Sequence, residues 1–289
     1  MQDAAAQTAG QTPADIVDAL ARKARKVHTP CGEGTMVWRT WGAGAPLILL
    51  HGGYGSWTHW LRNIPELSRH YELWLPDMPG LGDSAMPAKP WVPQSIANAI
   101  VAGIDEIFGP HKAVRLGGFS FGGHVAGLSA VALRERVSAL LLIGVAALGL
   151  RADPRAPFAK RRSGMAAAEE AAVFRQNLEV LMFADPNNID ALAVHLQAEN
   201  VTRGRFHSRP FAATDALAAA LADIKAPLKT IWGTRDIIAR PSLDARLDIL
   251  RRHHPEMDVH LIEGAGHWVA YEAAEAFNAA LLDLLPPNT

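Results

Sequence analysis

Short apolar runs recur along this chain, each closed within two residues by a glycine, an acid or a histidine and each followed by a stretch with helical spacing. Leu47-Ile48-Leu49-Leu50 runs into His51-Gly52-Gly53, and the pattern returns over residues 71–75, 113–118, 139–143, 228–232 and 259–262. Runs this short, without polar alternation, suit strands covered on both faces. The stretches 57–67, 94–107, 121–133, 242–250 and 268–285 read as the covering helices. Strand-helix alternation of this kind predicts an α/β fold with a mostly parallel sheet and helices on both faces. Met36–Trp41 reads as a further strand, followed by a turn at Gly42-Ala43-Gly44-Ala45-Pro46.

Two regions break the alternation. Residues 1–35 read as an N-terminal extension, disordered to about Gly10. A short helix follows to about Val27, capped by Thr12, with Pro13 in its first turn and Asp15 reaching back. Residues 146–211 open with a proline- and charge-rich stretch, Arg151 to Arg162. They continue as two helices, Ala166–Phe183 and Ile189–Val201, with no strand. All eight tryptophans lie outside residues 92–231. The insert therefore reads as a helical cap over the strand ends, where such sheets build their sites, and the core as residues 36–145 and 212–289.

Charge and cysteine content exclude several functions. Lys+Arg total 28 and Asp+Glu 29, a net charge of −1. Nucleic-acid binding needs a basic surface that this chain does not have. Lys160-Arg161-Arg162 is short enough to be only a solvated loop. The single cysteine, Cys31, forbids an internal disulfide. No apolar run reaches membrane-spanning length and no signal core is visible, so a cytoplasmic location away from the membrane is expected. There is no H-E-x-x-H and no G-x-G-x-x-G between strand and helix, so neither a metal nor a cofactor is expected. The sequence leaves a homodimer open.

The chemistry concentrates in Gly118-Phe119-Ser120-Phe121-Gly122-Gly123. Between a strand and a helix, G-x-S-x-G lifts the serine hydroxyl out of a strained turn, and the glycines let neighbouring backbones approach. A serine needs a base. Of twelve histidines, His267 stands out, in Glu263-Gly264-Ala265-Gly266-His267 just past a strand. His28 and His59 lie in surface-like segments, and His51 reads as a residue that fixes its loop. The base needs an orienting acid, and Asp236 follows the strand 228–232, whereas the run after 139–143 contains no acid. Arg235 beside Asp236 is a competing salt-bridge partner. For the oxyanion, the backbone N–H of Phe121 and that of Gly53, with Tyr54 as the second choice, are the expected donors.

These motifs, with Asp77-Met78-Pro79-Gly80-Leu81-Gly82-Asp83-Ser84, resemble the α/β-hydrolase superfamily from about residue 36 to 285. In that family the Asp77 segment is a structural loop. The order Ser120, Asp236, His267 is the family's order. An acid at the Ser120 position would imply dehalogenase or epoxide hydrolase chemistry. The ending Gly266-His267-Trp268-Val269-Ala270-Tyr271-Glu272, with Phe277-Asn278, is similar to the meta-cleavage-product hydrolases, which cut a carbon–carbon bond in a vinylogous diketone acid. Two positions differ from that branch. Phe119 stands where Asn usually precedes the serine. His195, with Arg203 and Arg205 later, stands where a second cap helix usually supplies arginine.

The resulting expectation is a cap-bearing serine hydrolase acting on a small-molecule substrate, first a carboxylic ester and as the alternative a carbon–carbon bond. A ligand receptor or a cofactor-free oxygenase on the same fold is a further alternative. Ser120 is the expected nucleophile, His267 the base and Asp236 the orienting acid. Phe119, Trp268 and His195 are expected at the substrate. The aromatic and apolar cap residues Phe158, Phe174, Met182, Phe183 and Phe206 are expected to line an apolar cleft.

Overall fold

The computed structural model describes residues 10–150 and 156–287. The expected disorder before Gly10 and the start of the proline-rich stretch at Arg151 lie outside these residues. Eight strands form one sheet: β1 (Arg25–Cys31), β2 (Gly34–Trp41), β3 (Pro46–Leu50), β4 (Glu72–Pro76), β5 (Val114–Phe119), β6 (Val137–Ile143), β7 (Leu228–Gly233) and β8 (Asp258–Ile262). Their order is β1-β2-β4-β3-β5-β6-β7-β8. The β1/β2 and β2/β4 pairs are antiparallel, and all pairs from β4 to β8 are parallel.

The strands divide two cores between them. On β3, Ile48 and Leu50 join one apolar cluster while Leu47 and Leu49 join the other; on β6, Leu140 and Leu142 oppose Leu141 and Ile143. Successive side chains on a strand point to opposite faces, so a continuous apolar run is what a doubly covered strand requires. Helices α2 (Pro93–Phe108) and α3 (Phe121–Leu133) pack on the first face, with Ile96, Ile100, Val125 and Ala130 inward. On the second face lie α1 (Pro13–Lys23) and the final helix, with Phe277 and Leu281 inward.

Helix α1 has the expected capping box: Asp15 N donates to Thr12 Oγ1 at 3.2 Å and Thr12 N to Asp15 Oδ2 at 2.9 Å. It ends at Lys23, short of Val27, because the chain turns at once into β1. That strand pairs with β2 from Arg25↔Thr40 to Cys31↔Gly34, so the sheet begins ahead of residue 36. Only alternate residues of β1, Thr29 and Cys31, are buried, and the intervening Lys, His and Pro hide the period in the sequence. The Cys31 thiol is buried, 3.6 Å from the Ala85 and Met86 carbonyl oxygens.

Between β6 and β7 the chain leaves the sheet as a helical cap, built on α4 (Ala167–Leu181) and α5 (Ala191–Arg203). Helix α6 (Leu243–His253) then joins β7 to β8, and α7 (Ala274–Leu284) closes the chain. No helix among the described residues is long and apolar enough to cross a membrane.

The Asp77 segment ties the antiparallel edge to the site loops. Asp77 Oδ1 accepts from Trp57 N at 2.9 Å, and Oδ2 accepts from Asp83 N at 3.0 Å and from Arg39 Nη1 at 2.8 Å. Arg39 and Asp77 are both buried. Removing one member of a buried ion pair strands the other charge and costs about 3–5 kcal/mol. Asp77→Ala should therefore lower the unfolding free energy by about that amount, read from urea denaturation.

Candidate active site

Ser120 joins β5 to α3 with φ 52° and ψ −116°, a conformation non-glycine residues rarely adopt. Its N–H donates to Ile143 O at 2.8 Å, holding the turn against β6. The turn depends on bare backbone around it. A Cβ on Gly122 would lie 2.3 Å from His51 O and 2.4 Å from Leu50 O, and one on Gly118 would lie 2.2 Å from Gly122 O. Helix α3 thus starts in direct contact with the end of β3.

His267 and Asp236 meet Ser120 from the ends of β8 and β7. His267 Nε2 is 3.0 Å from Ser120 Oγ, and His267 Nδ1 is 2.9 Å from Asp236 Oδ2. The ring and the acid are buried. A carboxylate only accepts, so Nδ1 carries the proton and Nε2 is free to receive the hydroxyl's. Asp236 Oδ1 accepts from Ile238 N at 2.7 Å, which fixes the carboxylate plane. Arg235 is exposed and makes no ion pair among the described residues. The cation behind the acid is the buried Arg246, whose guanidinium burial pushes toward deprotonation and Asp236 holds charged. Gly144, at the end of β6, has φ +50°, and a Cβ there would stand 3.0 Å from Asp236 Oδ2. The strand end that contains no acid is the one lying against this pair.

The backbone donors face the same space. Gly53 and Phe121 line the cleft with Ser120, and neither N–H has an acceptor among the described residues. Tyr54 has φ 53° and its hydroxyl is 3.1 Å from His207 Nδ1. His51 is buried between two backbone groups: Nε2 accepts from Met78 N at 2.9 Å, so Nδ1 donates to Gly52 O at 2.8 Å. His59 is not a surface residue. It is buried, and Nδ1 accepts from Gly52 N at 3.2 Å; burial and the neighbouring imidazoles His51 and His267 hold its pKa well below the usual value.

The cleft measures about 390 Å³, within the range of small-molecule sites. Phe119 lines it, its ring 4.8 Å from that of His267. Phe158, Phe174 and Met182 supply apolar wall. Phe183 and Phe206 do not: Phe183 packs on Trp268 and Tyr271, and Phe206 stacks between Phe121 and Phe211. Trp268 lies behind the imidazole, donating Nε1–H to His59 O at 3.0 Å, outside the cleft wall. His195 also misses it. Gln197 and Val201, four residues apart, are the α5 side chains at the cleft, and His195, two residues before Gln197, turns away into a separate groove between α4 and α5. Arg203 pairs with Asp83 at 3.1 Å and Arg205 donates to Ser84 O, so both tie the cap to the Asp77 segment. The cations that do line the cleft are Lys160, Arg161 and Arg209.

Two residues escape sequence reasoning. Glu272 Oε2 accepts from Gly266 N at 2.7 Å, and Oε1 accepts from Asp185 N at 2.9 Å and Asn188 Nδ2 at 3.3 Å, so one carboxylate joins the His267 loop to the end of α4. His124, one turn beyond Ser120 on α3, lines the cleft, is buried, and neither ring nitrogen has a partner among the described residues. Its spacing of four from Ser120 was the available signal. No group of three or more His, Cys, Asp or Glu that could hold a metal occurs among the described residues.

A largely parallel sheet, a cap insertion and a Ser-His-Asp constellation at the strand ends define a serine-hydrolase type of enzyme. The profile of the alpha/beta hydrolase family matches residues 47–280, and the chain belongs to that family. It is 30% identical over 259 residues to the 2-hydroxy-6-oxo-6-phenylhexa-2,4-dienoate hydrolase of Burkholderia cepacia, covering 84% of this chain and 88% of that protein. A 2-hydroxy-6-oxononadienedioate/2-hydroxy-6-oxononatrienedioate hydrolase of Comamonas testosteroni is 29% identical, with 84% and 88% covered. Among solved structures, a meta-cleavage product hydrolase from Pseudomonas fluorescens superposes with a TM-score of 0.72 at 21% identity, over 91% of this chain and 98% of that one.

Burial holds the His124 imidazole down at a pKa of about 4, against 6.5 when unfolded. Below pH 6.5 the unfolded chain takes up a proton that the folded one refuses. Stability from this residue is therefore intact above pH 6.5 and lost as pH falls toward 4, by roughly 3 kcal/mol at most. His124→Gln should lose less stability than wild type between pH 7.5 and pH 4.5, measured as the difference in urea midpoints.

Proposed function

We propose that this enzyme hydrolyses a carbon–carbon bond in an acidic vinylogous diketone. The observation that carries the reading is the character of the cleft: apolar walls, Ser120 at the base, and Lys160, Arg161 and Arg209 among its lining. A carboxylate taken under a cap needs a cation, because burying it unpaired is costly. Arg161 is engaged by Thr202 at 3.1 Å and faces Glu170 at 3.8 Å. Arg209 has no acidic partner among the described residues; its guanidinium lies 4.4 Å from the Phe158 ring centroid and 5.4 Å from that of Tyr54. It is the group assigned to the substrate carboxylate. The names of the Burkholderia and Comamonas relatives, both hydrolases of hydroxy-oxo dienoates, support the same reading.

The chemistry follows from the geometry. His267 takes the Ser120 proton as Oγ attacks the ketone carbonyl, with Asp236 holding the imidazole and stabilising its cation. The Gly53 and Phe121 N–H groups receive the oxyanion. Cleavage straight from the enol form would leave a vinyl carbanion, so the enol hydroxyl first gives up its proton to the carbon beside the ketone, which converts the enol to its keto form. The electron pair of the severed bond then spreads along the conjugated chain to the oxygen next to the carboxylate, and this enolate takes up the proton that His267 removed from Ser120, leaving the imidazole neutral. Water, deprotonated by His267, attacks the acyl-Ser120 ester; the acid departs and Ser120 regains its proton.

This reverses the order in which the sequence alone puts the two reactions. Ester hydrolysis remains the second reading, favoured by Phe119 at the position before the nucleophile. Both share the acyl-enzyme, and the leaving group distinguishes them.

A diketone acid should be preferred over short aryl esters by two or more orders of magnitude in kcat/KM, and an equal or reversed preference would return the assignment to esters. Arg209→Gln should lower kcat/KM for the diketone acid by roughly 100-fold, the scale of one lost charged contact, and leave neutral esters nearly unchanged. Ser120→Ala should abolish both activities. Asp236→Asn should reduce turnover by roughly 10⁴, the scale seen when the acid of a serine protease triad is replaced.

A further inference from the structure

The return segment of the cap places three consecutive side chains on the Gly53-Tyr54 loop. His207 Nδ1 is 3.1 Å from the Tyr54 hydroxyl, and the Arg209 guanidinium lies 5.4 Å from the Tyr54 ring centroid. Ser208, between them, is 5% exposed and lines the cleft. Its position over Gly53 is close: a Cβ on Gly53 would lie 2.2 Å from Ser208 Oγ and 3.6 Å from Phe121 Cβ. The serine hydroxyl thus fills the space that a side chain at residue 53 would take, beside both residues assigned to the oxyanion.

An ordinary local explanation for this serine is missing. Ser208 precedes the helical turn Arg209–Phe211, where a serine commonly caps through its side chain, yet the side chain makes no cap bond. The turn is closed by the Ser208 carbonyl, which accepts from Phe211 N at 3.1 Å. The hydroxyl has no hydrogen-bond partner among the described residues, and neither has the adjacent Gly53 N–H. Two neighbouring donors on the cleft wall, Ser208 buried and Gly53 partly exposed, both without an acceptor among the described residues, are matched by one anionic oxygen.

We propose that Ser208 is a catalytic residue contributed by the cap, whose hydroxyl donates to the oxyanion alongside the Gly53 and Phe121 N–H groups. This rests on Ser120 as nucleophile, but not on whether the bond cut is an ester or a carbon–carbon bond. The hydroxyl is supplied by the cap and the two N–H groups by the core, so the full set of donors exists only with the cap seated.

The test uses an aryl ester and a fluorophosphonate probe, whose phosphoryl oxygen occupies the oxyanion position. Ser208→Ala should lower kcat and the rate of Ser120 labelling by roughly 10- to 100-fold, the lower range for loss of one oxyanion donor, with KM within threefold. Ser208→Thr, which keeps the hydroxyl, should recover most of both rates. A Ser208→Ala enzyme with wild-type kcat and labelling rate would overturn the proposal. So would equal losses in Ala and Thr variants accompanied by a rise in KM or a fall in Tm, the mark of a packing role. A wild-type enzyme that the probe does not label would instead remove Ser120 as nucleophile, and the Ser208 contact with it.

Discussion

The rest of the site depends on the backbone of Ser120 being held where a serine does not rest by choice. A residue at φ 52° and ψ −116° costs of order 1–3 kcal/mol and persists only when its surroundings enforce it. Here the enforcement is the bond from Ser120 N to Ile143 O and the contact of bare backbone between α3 and the end of β3. The same contact brings Gly53 and Phe121 to the cleft that Ser120 lines. The proposed nucleophile and oxyanion donors are therefore one piece of geometry, and a single methyl group at residue 122 would pry them apart.

The His267 imidazole is positioned from the other side, partly by the cap. Glu272 collects donors from the His267 loop and from residues 185 and 188, while Trp268 N donates to Met182 O at 2.8 Å. Arg62 and Tyr271 grip Asp190 at the start of α5, and Arg203 reaches Asp83 at its end. Each contact alone is modest, because most of these side chains are partly exposed. Together they make the seat of the cap and the aim of the imidazole a shared arrangement rather than two independent ones.

The sheet was legible because a strand buried on both faces must be apolar at every position, which leaves an unbroken run in the letters. That Ser120, Asp236 and His267 meet was legible because each follows such a run in a loop containing glycine. Strand β1 was not, since an edge strand buries only alternate residues and its other letters are polar. The position of His195 is not legible, because the rotation of a helix about its own axis cannot be read from spacing within α5 alone; two residues of offset from Gln197 carry it to the groove with α4. Ser208 and Glu272 take their meaning from neighbours distant in sequence, Gly53 for the first and residues 185 and 188 for the second. Lys160-Arg161-Arg162 is the exposed run that its letters suggest, and only the fold shows that its first two residues also border the cleft of Ser120.

Cys31 sits at the end of β1 with its thiol buried and its pKa raised by that burial. It is the only cysteine in the chain. A thiolate is the reactive form, so this one is doubly shielded from alkylating reagents. A cysteine introduced on the outer surface of α4 or α5 would then be the one reactive thiol in the native protein. A fluorophore or spin label could be attached there without first deleting a native residue, and its distance to a tryptophan of the core would report where the cap stands during turnover.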